Sequence, residues 1–456
     1  MSQTMLRDER GPGVVVRHRF LVQVARSLGM RALAAGLTFA VVPICIRTLG
    51  MRGFGEYAIA ISWMSILTVA AKLGFDTASL RYVAQYRSQA EGGLLQGFVR
   101  TSRRLSWGAS LALGIGLAGV TLLLRERLSA GLFQSLLGAA ALIPLVAAIQ
   151  LREAGLLASG RVMSGQLGGV LLPLLLIVLI GVVPLVSGVA LTSSRVVLLN
   201  LCSAVVTLGV MALLSRRVIT PHFGDVRRET RVKEWFSVAS PLLLVQLLGL
   251  LLSQSGTVLC GWLIDEQAAG LYSAVARVAS VLLLGLQAIG IIAAPTIASL
   301  YHSGRIADLE RYVRRCALAS FSFAGSFCLV MLIGGRSVLT LLGEEVVAGD
   351  VPLAVLLIGL AVESAAGPVN YLMLMTGRQW DCIKVYGAMM ALCLILGLAV
   401  IPTFGVLGAA VTAAFARTGS ALALVGYAKQ RHGLWCIAAP SRSAQSLIEE
   451  PSRAAA

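Results

Sequence analysis

Residues Leu49–Tyr86 read LGMRGFGEYAIAISWMSILTVAAKLGFDTASLRYVAQY. The stretch is a short polar turn, an apolar run long enough for one membrane-spanning helix, and a basic amphipathic exit. A weaker copy, AGLYSAVARVASVLLLGLQAIGIIAAPTIASLY, occupies Ala269–Tyr301. Gly55–Glu56–Tyr57 aligns with Gly270–Leu271–Tyr272, and Tyr86 with Tyr301, at a common spacing of 215 residues. The echo predicts two copies of one helical bundle.

Composition agrees with a bundle in lipid. The 456 residues are 57% hydrophobic and only 13% charged, with a mean hydropathy of +0.85. Soluble domains carry about 25% charge. Apolar runs of about 20 residues, the length that spans a hydrocarbon core of about 30 Å, recur along the chain. Backbone groups in lipid must pair internally, so these runs predict helices. No alternating pattern of a membrane β-barrel is present.

The runs fall at 22–46, 56–75, 102–124, 130–150, 164–186 and 191–214, then at 239–263, 272–298, 316–335, 351–375, 383–402 and 406–428. Twelve spans result, in an all-α polytopic membrane protein. Adding about 215 to the first six spans gives the last six. Ser159–Gly160–Arg161 and Thr376–Gly377–Arg378 extend the match beyond the opening stretch. Because six is even, both copies insert with the same orientation, as a parallel repeat about an axis along the membrane normal. The expected organisation is a tail 1–20, a first six-helix lobe 21–214, a basic linker 215–236, a second lobe 237–430 and a disordered tail 431–456. The first helix starts too polar and runs too long for a cleaved signal peptide.

The net charge of +17 would suggest nucleic acid in a soluble chain. Here its distribution sets topology instead. Lys and Arg concentrate at the tails, the linker and every second loop, including Arg103, Arg104, Arg152, Arg216 and Arg217. The opposite loops hold only Arg47, Arg52, Arg125, Arg127, Arg195 and Arg336, offset by Asp265, Glu266, Glu344, Glu345 and Asp350. By the positive-inside rule both termini are cytoplasmic. The basic ends also suit anionic membrane lipids, and nucleic acid is not an expected partner.

Few groups suggest chemistry. The eight cysteines form no CxxC pair and lie mostly in apolar runs, where they act as small hydrophobes. No two histidines have ligand spacing, so neither a metal nor a cofactor is expected. Gly114–Gly119 matches GxGxxG, but it lies inside an apolar helix with no preceding strand; helix packing explains it. The loops are too short to assemble catalytic acids and bases, which argues against an enzyme.

Charges within spans are the informative signal, since each costs about 2.5–3.5 kcal/mol at a helix centre on insertion scales. Arg31, Arg277, Glu363 and Arg417 are the candidates for a cavity between the lobes. Their rival role is structural, above all an interhelical pair between Arg277 and Glu363. Asp76 and Arg81, five residues apart at the end of the second span, are candidates for a cytoplasmic gate or an interfacial anchor. Arg47 and Arg52 read as headgroup-level charges. None of the four cavity charges repeats: 215 residues away from Arg31, Arg277, Glu363 and Arg417 stand Gln246, Ser62, Ala148 and Cys202. A duplicated scaffold with a diverged polar lining favours an asymmetric ligand.

GFGEYA at 53–58, LGFDTASLRYVAQY at 73–86 and AGLYSAVARV at 269–278 resemble bacterial polysaccharide-export flippases of the Wzx type, within the multidrug/oligosaccharidyl-lipid/polysaccharide superfamily. The resemblance covers about residues 20–430. It implies a two-lobed transporter in the bacterial inner membrane, moving an undecaprenyl-diphosphate-linked oligosaccharide to the outer leaflet by alternating access. It also implies a cationic central cavity in which Arg277 and Arg31 contact diphosphate or acidic sugar. Polysaccharide polymerase or glycosyltransferases are the protein partners it implies. The alternative is a cation-coupled small-molecule or multidrug exporter of the same superfamily, with Glu363 as its main acidic site.

Overall fold

The computed structural model describes residues 12–222 and 229–432. Residues 1–11 and 433–456 of the expected tails, and 223–228 of the expected linker, lie outside the described residues. The described chain is α-helical: α1 (Pro12–Ala71), α2 (Phe75–Ser88), α3 (Gly92–Leu123), α4 (Ala130–Ala158), α5 (Val162–Ser187), α6 (Ser193–Ile219), α7 (Val232–Leu263), α8 (Glu266–His302), α9 (Ile306–Leu342), α10 (Asp350–Ala365), α11 (Val369–Met375) and α12 (Gln379–His432).

Among the described residues, ten helical stretches are long and apolar enough to cross a membrane, against twelve expected spans. The difference lies in two glycines. The apolar part of α1, Arg26–Ala71, has 46 residues. At about 1.5 Å per residue it measures about 69 Å, more than twice a hydrocarbon core. It bends at Gly50 (φ 70°, ψ 174°), and α12 bends likewise at Gly405 (φ 59°, ψ −137°). Both conformations are closed to residues with a Cβ. Each bent helix therefore makes two crossings, and six crossings build each lobe.

One end of the bundle carries the interlobe linker and is called the linker end; the bends at Gly50 and Gly405 lie at the other, the turn end. Helices finish at the linker end in a repeated left-handed cap. Arg161 N donates to Leu156 O (3.1 Å), Arg305 N to Leu300 O (3.1 Å), Arg378 N to Met373 O (2.9 Å) and Glu91 N to Tyr86 O (2.9 Å). The penultimate residues Gly160, Gly304, Gly377 and Ala90 all have positive φ. This is the Schellman geometry, which satisfies the last carbonyls. At the turn end, side chains start the helices: Ser129 Oγ accepts from Leu132 N (3.2 Å) and Asp265 Oδ1 from Ala268 N (2.7 Å). The caps also correct the repeat's register. Ala90 matches Gly304, 214 residues on, so Tyr86 corresponds to Leu300 rather than to Tyr301. The extra residue is taken up where the first lobe's second crossing breaks, at Leu73 (φ 53°) and Gly74 (φ 76°).

The lobes meet where the repeat predicts an axis. A Cβ on Gly270 would stand 3.1 Å from Gly55 Cα, and one on Gly55 would overlap the Glu266 carbonyl. Equivalent residues touch each other only near the axis that relates them. Around this contact the turn end is sealed between lobes. Arg47 Nη2 donates to Leu341 O (2.9 Å), and Arg52 Nε lies 3.7 Å from Glu266 Oε2. Arg47 and Arg52, expected at headgroup level, thus tie the lobes together. A single apolar core containing Phe54, Ile59, Ala269, Tyr272 and Val275 spans both lobes here.

Toward the linker end the core divides. One part, with Ile297, Val313, Leu372 and Leu424, lies in the second lobe. The other, with Phe75, Tyr82, Tyr86 and Phe98, lies in the first lobe and includes Trp235 and Ala239 of α7. The helices also shorten the linker relative to 215–236, since α6 runs to Ile219 and α7 begins at Val232.

Candidate substrate cavity

Between the divided cores lie contiguous chambers. One of about 280 Å³ is lined mainly by the first lobe, with Thr38, Tyr57, Gln150, Glu153 and Asn200. Another of about 450 Å³ belongs to the second lobe, with Gln287, Glu363, Asn370, Tyr371 and Arg417. A narrower one of about 110 Å³ runs between Arg277 and Arg417. A fourth, of about 220 Å³, opens between α1 and α8 past Thr38, Ser280 and Leu284.

Arg277 lines three of these four chambers. It lies eleven residues into α8, about 16 Å from the helix start and so near mid-membrane. Its side chain is exposed although flanking Val275 and Val278 are buried, because it faces the cavity rather than a neighbouring helix. It makes no salt bridge among the described residues. An unneutralised guanidinium at this depth is costly unless water or an anion faces it. Tyr57 and Tyr272, matched by the repeat, are buried beside it in opposite lobes.

The interhelical pair of Arg277 with Glu363, the rival structural role, is not formed. Arg417 Nη1 instead donates to Glu363 Oε2 at 3.1 Å, joining α12 to α10 within the second lobe. Both side chains keep about a quarter of their surface open to the cavity, 23% and 29%. The pair is locally neutral, which leaves Arg277 as the mid-membrane cation of the cleft that has no carboxylate partner among the described residues. Arg31 stands further toward the linker end on α1 and is exposed. Its Nε reaches the Gln166 side-chain oxygen at 3.1 Å when that amide also donates to Ser27 O. It lies within electrostatic range of Tyr371 in the opposite lobe.

Asp76 and Arg81 take different partners. Asp76, in the first turn of α2, accepts from Lys72 Nζ at 2.5 Å across the break at Leu73–Gly74. Arg81 is exposed and lies over the Tyr82 ring at 5.7 Å. The Lys72–Asp76 pair was hidden in the sequence because a continuous helix ending near residue 75 placed both at its tip. Glu153 was missed for a similar reason. The fourth span was expected to stop at 150, yet α4 runs to Ala158 and brings Glu153 against Gly168 of α5 at the wall of the first-lobe chamber. Glu56 of the opening motif faces away from the cavity. Its carboxylate accepts from Ser129 Oγ (3.0 Å) and from Ser193 Oγ, fastening the starts of α4 and α6.

The seams flanking the cavity at the linker end differ. Between α2 and α7, Trp235 Nε1 donates to Tyr86 OH (3.0 Å) and Gln246 Nε2 to Thr77 Oγ1. Gly74 brings its backbone so close to Ala239 O that no Cβ fits. Between α1 and α8, by contrast, Arg31 is exposed and the chamber lined by Ala35, Thr38, Ser280 and Leu284 opens.

This two-lobed arrangement is the fold of the MOP-superfamily transporters. An inward-facing multidrug resistance MATE family transporter superposes with a TM-score of 0.70 at 15% identity, over 89% of this chain and 94% of that one. An outward-facing structure of such a transporter gives 0.62 at 14% identity, over 90% and 95%. A MOP-superfamily transporter from Pyrococcus furiosus Vc1, described as having a binding pocket of reversed polarity, gives 0.62 at 15% over 90% and 95%. Residues 23–301 match the polysaccharide biosynthesis protein family, and the chain belongs to that family. No curated protein matches the sequence.

Proposed function

We propose that the protein is a flippase for a lipid-linked oligosaccharide, carried on undecaprenyl diphosphate, in the bacterial inner membrane. The observation that carries this reading is Arg277: a mid-membrane guanidinium, without a carboxylate partner among the described residues, at the junction of chambers from both lobes. Planar guanidinium donors bind two phosphate oxygens at once, and removal from bulk water strengthens the interaction. Membership of the polysaccharide biosynthesis family supports a polysaccharide precursor as cargo.

On this reading the linker end is cytoplasmic, as its arginines require. The diphosphate enters past Arg31 and settles on Arg277, while the sugar occupies the polar chambers. The lipid tail stays in the bilayer and crosses the seam between α1 and α8. Separation of the lobes at Gly55–Gly270, with closure at the linker end, then exposes the sugar to the other side. Arg417 and Glu363, already paired, shape the second-lobe chamber.

The test is leaflet assignment in cells lacking the protein. Spheroplasts are labelled with an impermeant sugar-reactive probe. Accumulation of unlabelled lipid-linked oligosaccharide, reversed by re-expression, is the expected result. Labelling and carrier levels equal to the parent strain would shift the assignment to the small-molecule exporter, for which drug-sensitivity profiling of the same strain is the measurement.

A further inference from the structure

A second basic constellation lies outside the central cavity, in the linker-end half of the first lobe. Arg103 of α3, Arg152 of α4 and Arg216 of α6 converge there from three packed helices. Arg103 Nη2 reaches Ser215 Oγ at 3.4 Å, and Arg152 Nη1 donates to Ala148 O at 2.8 Å. The three guanidinium groups are close enough to repel one another. None of them makes a salt bridge among the described residues, and Arg152 Nε is buried without a hydrogen-bond partner. Three like charges held together at a partly buried site need an anion to offset them.

The surroundings identify the anion's carrier. Trp107, one turn beyond Arg103, is 37% exposed, and Leu111 and Leu213 continue an exposed apolar surface along α3 and α6. An exposed tryptophan between arginines and an apolar wall marks the headgroup level of a bilayer. Basic pockets between transmembrane helices hold lipid phosphates in this way.

We propose that Arg103, Arg152 and Arg216 form a binding site for the phosphate-bearing headgroup of an anionic phospholipid in the leaflet at the linker end, with its acyl chains along α3 and α6. The site is separate from the transport cavity and does not depend on which substrate that cavity carries. A bound lipid would brace α3, α4 and α6 of the first lobe.

Native mass spectrometry and thermal unfolding of the full-length protein in detergent test this, with phosphatidylglycerol, diphosphatidylglycerol or phosphatidylethanolamine added at equal concentration. The expected result is retention of an anionic phospholipid and a raised Tm that the zwitterionic lipid does not give. The triple variant R103Q/R152Q/R216Q loses that lipid by on the order of 100-fold, and R216Q alone by about fivefold, from roughly 1 kcal/mol per arginine. Arg216 is exposed, so its single variant keeps the test open if the triple variant does not fold. The control R305Q/R311Q, at the same end of the second lobe, retains the lipid. Unchanged lipid retention in R216Q and the triple variant would overturn the assignment. So would equal stabilisation by inorganic phosphate alone, or preference for an undecaprenyl diphosphate over every phospholipid.

Discussion

The two seams between the lobes at the linker end would be alike if the repeat were perfect, and they are not. In the α2–α7 seam, Gln246 meets Thr77 and Trp235 is buried among first-lobe aromatics. In the α1–α8 seam, the residue corresponding to Gln246 is Arg31, which is exposed. A neutral amide can be shut inside an interface with one hydrogen-bonding partner; an arginine without a carboxylate cannot. The difference at this repeated position goes with a fixed, hydrogen-bonded joint between α2 and α7 and an exposed arginine between α1 and α8. The helix breaks diverge in the same way. The first lobe breaks its second crossing at Gly74, against α7 of the other lobe, whereas the second lobe breaks its fourth at Gly367, against Ala317 within the same lobe.

The contrast between a shared axis and unlike seams can be broken most severely at the axis. Gly270→Leu cannot fit while Gly55 is in contact, so the sealed turn end is lost. Transport should fall below detection, and an R52C/E266C pair should lose its disulfide cross-linking on a Gly270→Leu background. Efficient cross-linking with normal transport would show that the contact is not a seal. Next in size is the fixed joint. Trp235→Ala removes a fully buried indole and should cost about 3–5 kcal/mol of stability, read as a lowered Tm. The equivalent disturbance of the open seam, Leu284→Ala at an exposed position lining the α1–α8 chamber, should cost less than about 0.5 kcal/mol.

Smaller effects sharpen the asymmetry of the lining. Arg277→Ala should lower transport about 10–100-fold, the worth of a charged hydrogen bond, with Arg277→Lys recovering part of it. Wild-type transport by well-expressed Arg277→Ala would remove that side chain from the site. Glu363→Gln and Arg417→Gln should be non-additive, with a coupling of about 1 kcal/mol in a double-mutant cycle of stability. Neither should couple to Arg277→Gln. The smallest change concerns the caps. Ala90 holds a left-handed conformation that glycine holds at the three matching turns, so Ala90→Gly should raise stability by about 0.5 kcal/mol, measured as Tm.

The membrane class, the two lobes and the crossings of the bundle were legible because lipid imposes a length and a composition on every helix. Arg277 was legible for the same reason: a charge within an apolar run stands out whatever surrounds it. Other groups were obscured by their neighbours. Glu153 follows Arg152 at what read as a loop, and Lys72 and Asp76 read as an interfacial tip. Arg103, Arg152 and Arg216 were indistinguishable from topology-setting loop charges until three helices brought them together. The Arg417–Glu363 pair joins residues 54 positions apart on different helices, and no periodicity reports such a meeting.

The sequence by itself determined the solvent, the secondary structure and the duplication, since hydropathy and a recurring motif are local properties of the chain. Only the tertiary structure decided that Gly55 and Gly270 touch, that Arg417 takes Glu363 and leaves Arg277 to the cavity, and that one seam is shut while the other stands open. These are contacts between distant segments. Their partners are chosen by how the helices pack around the axis, and the charge of a side chain fixes only that a partner is needed.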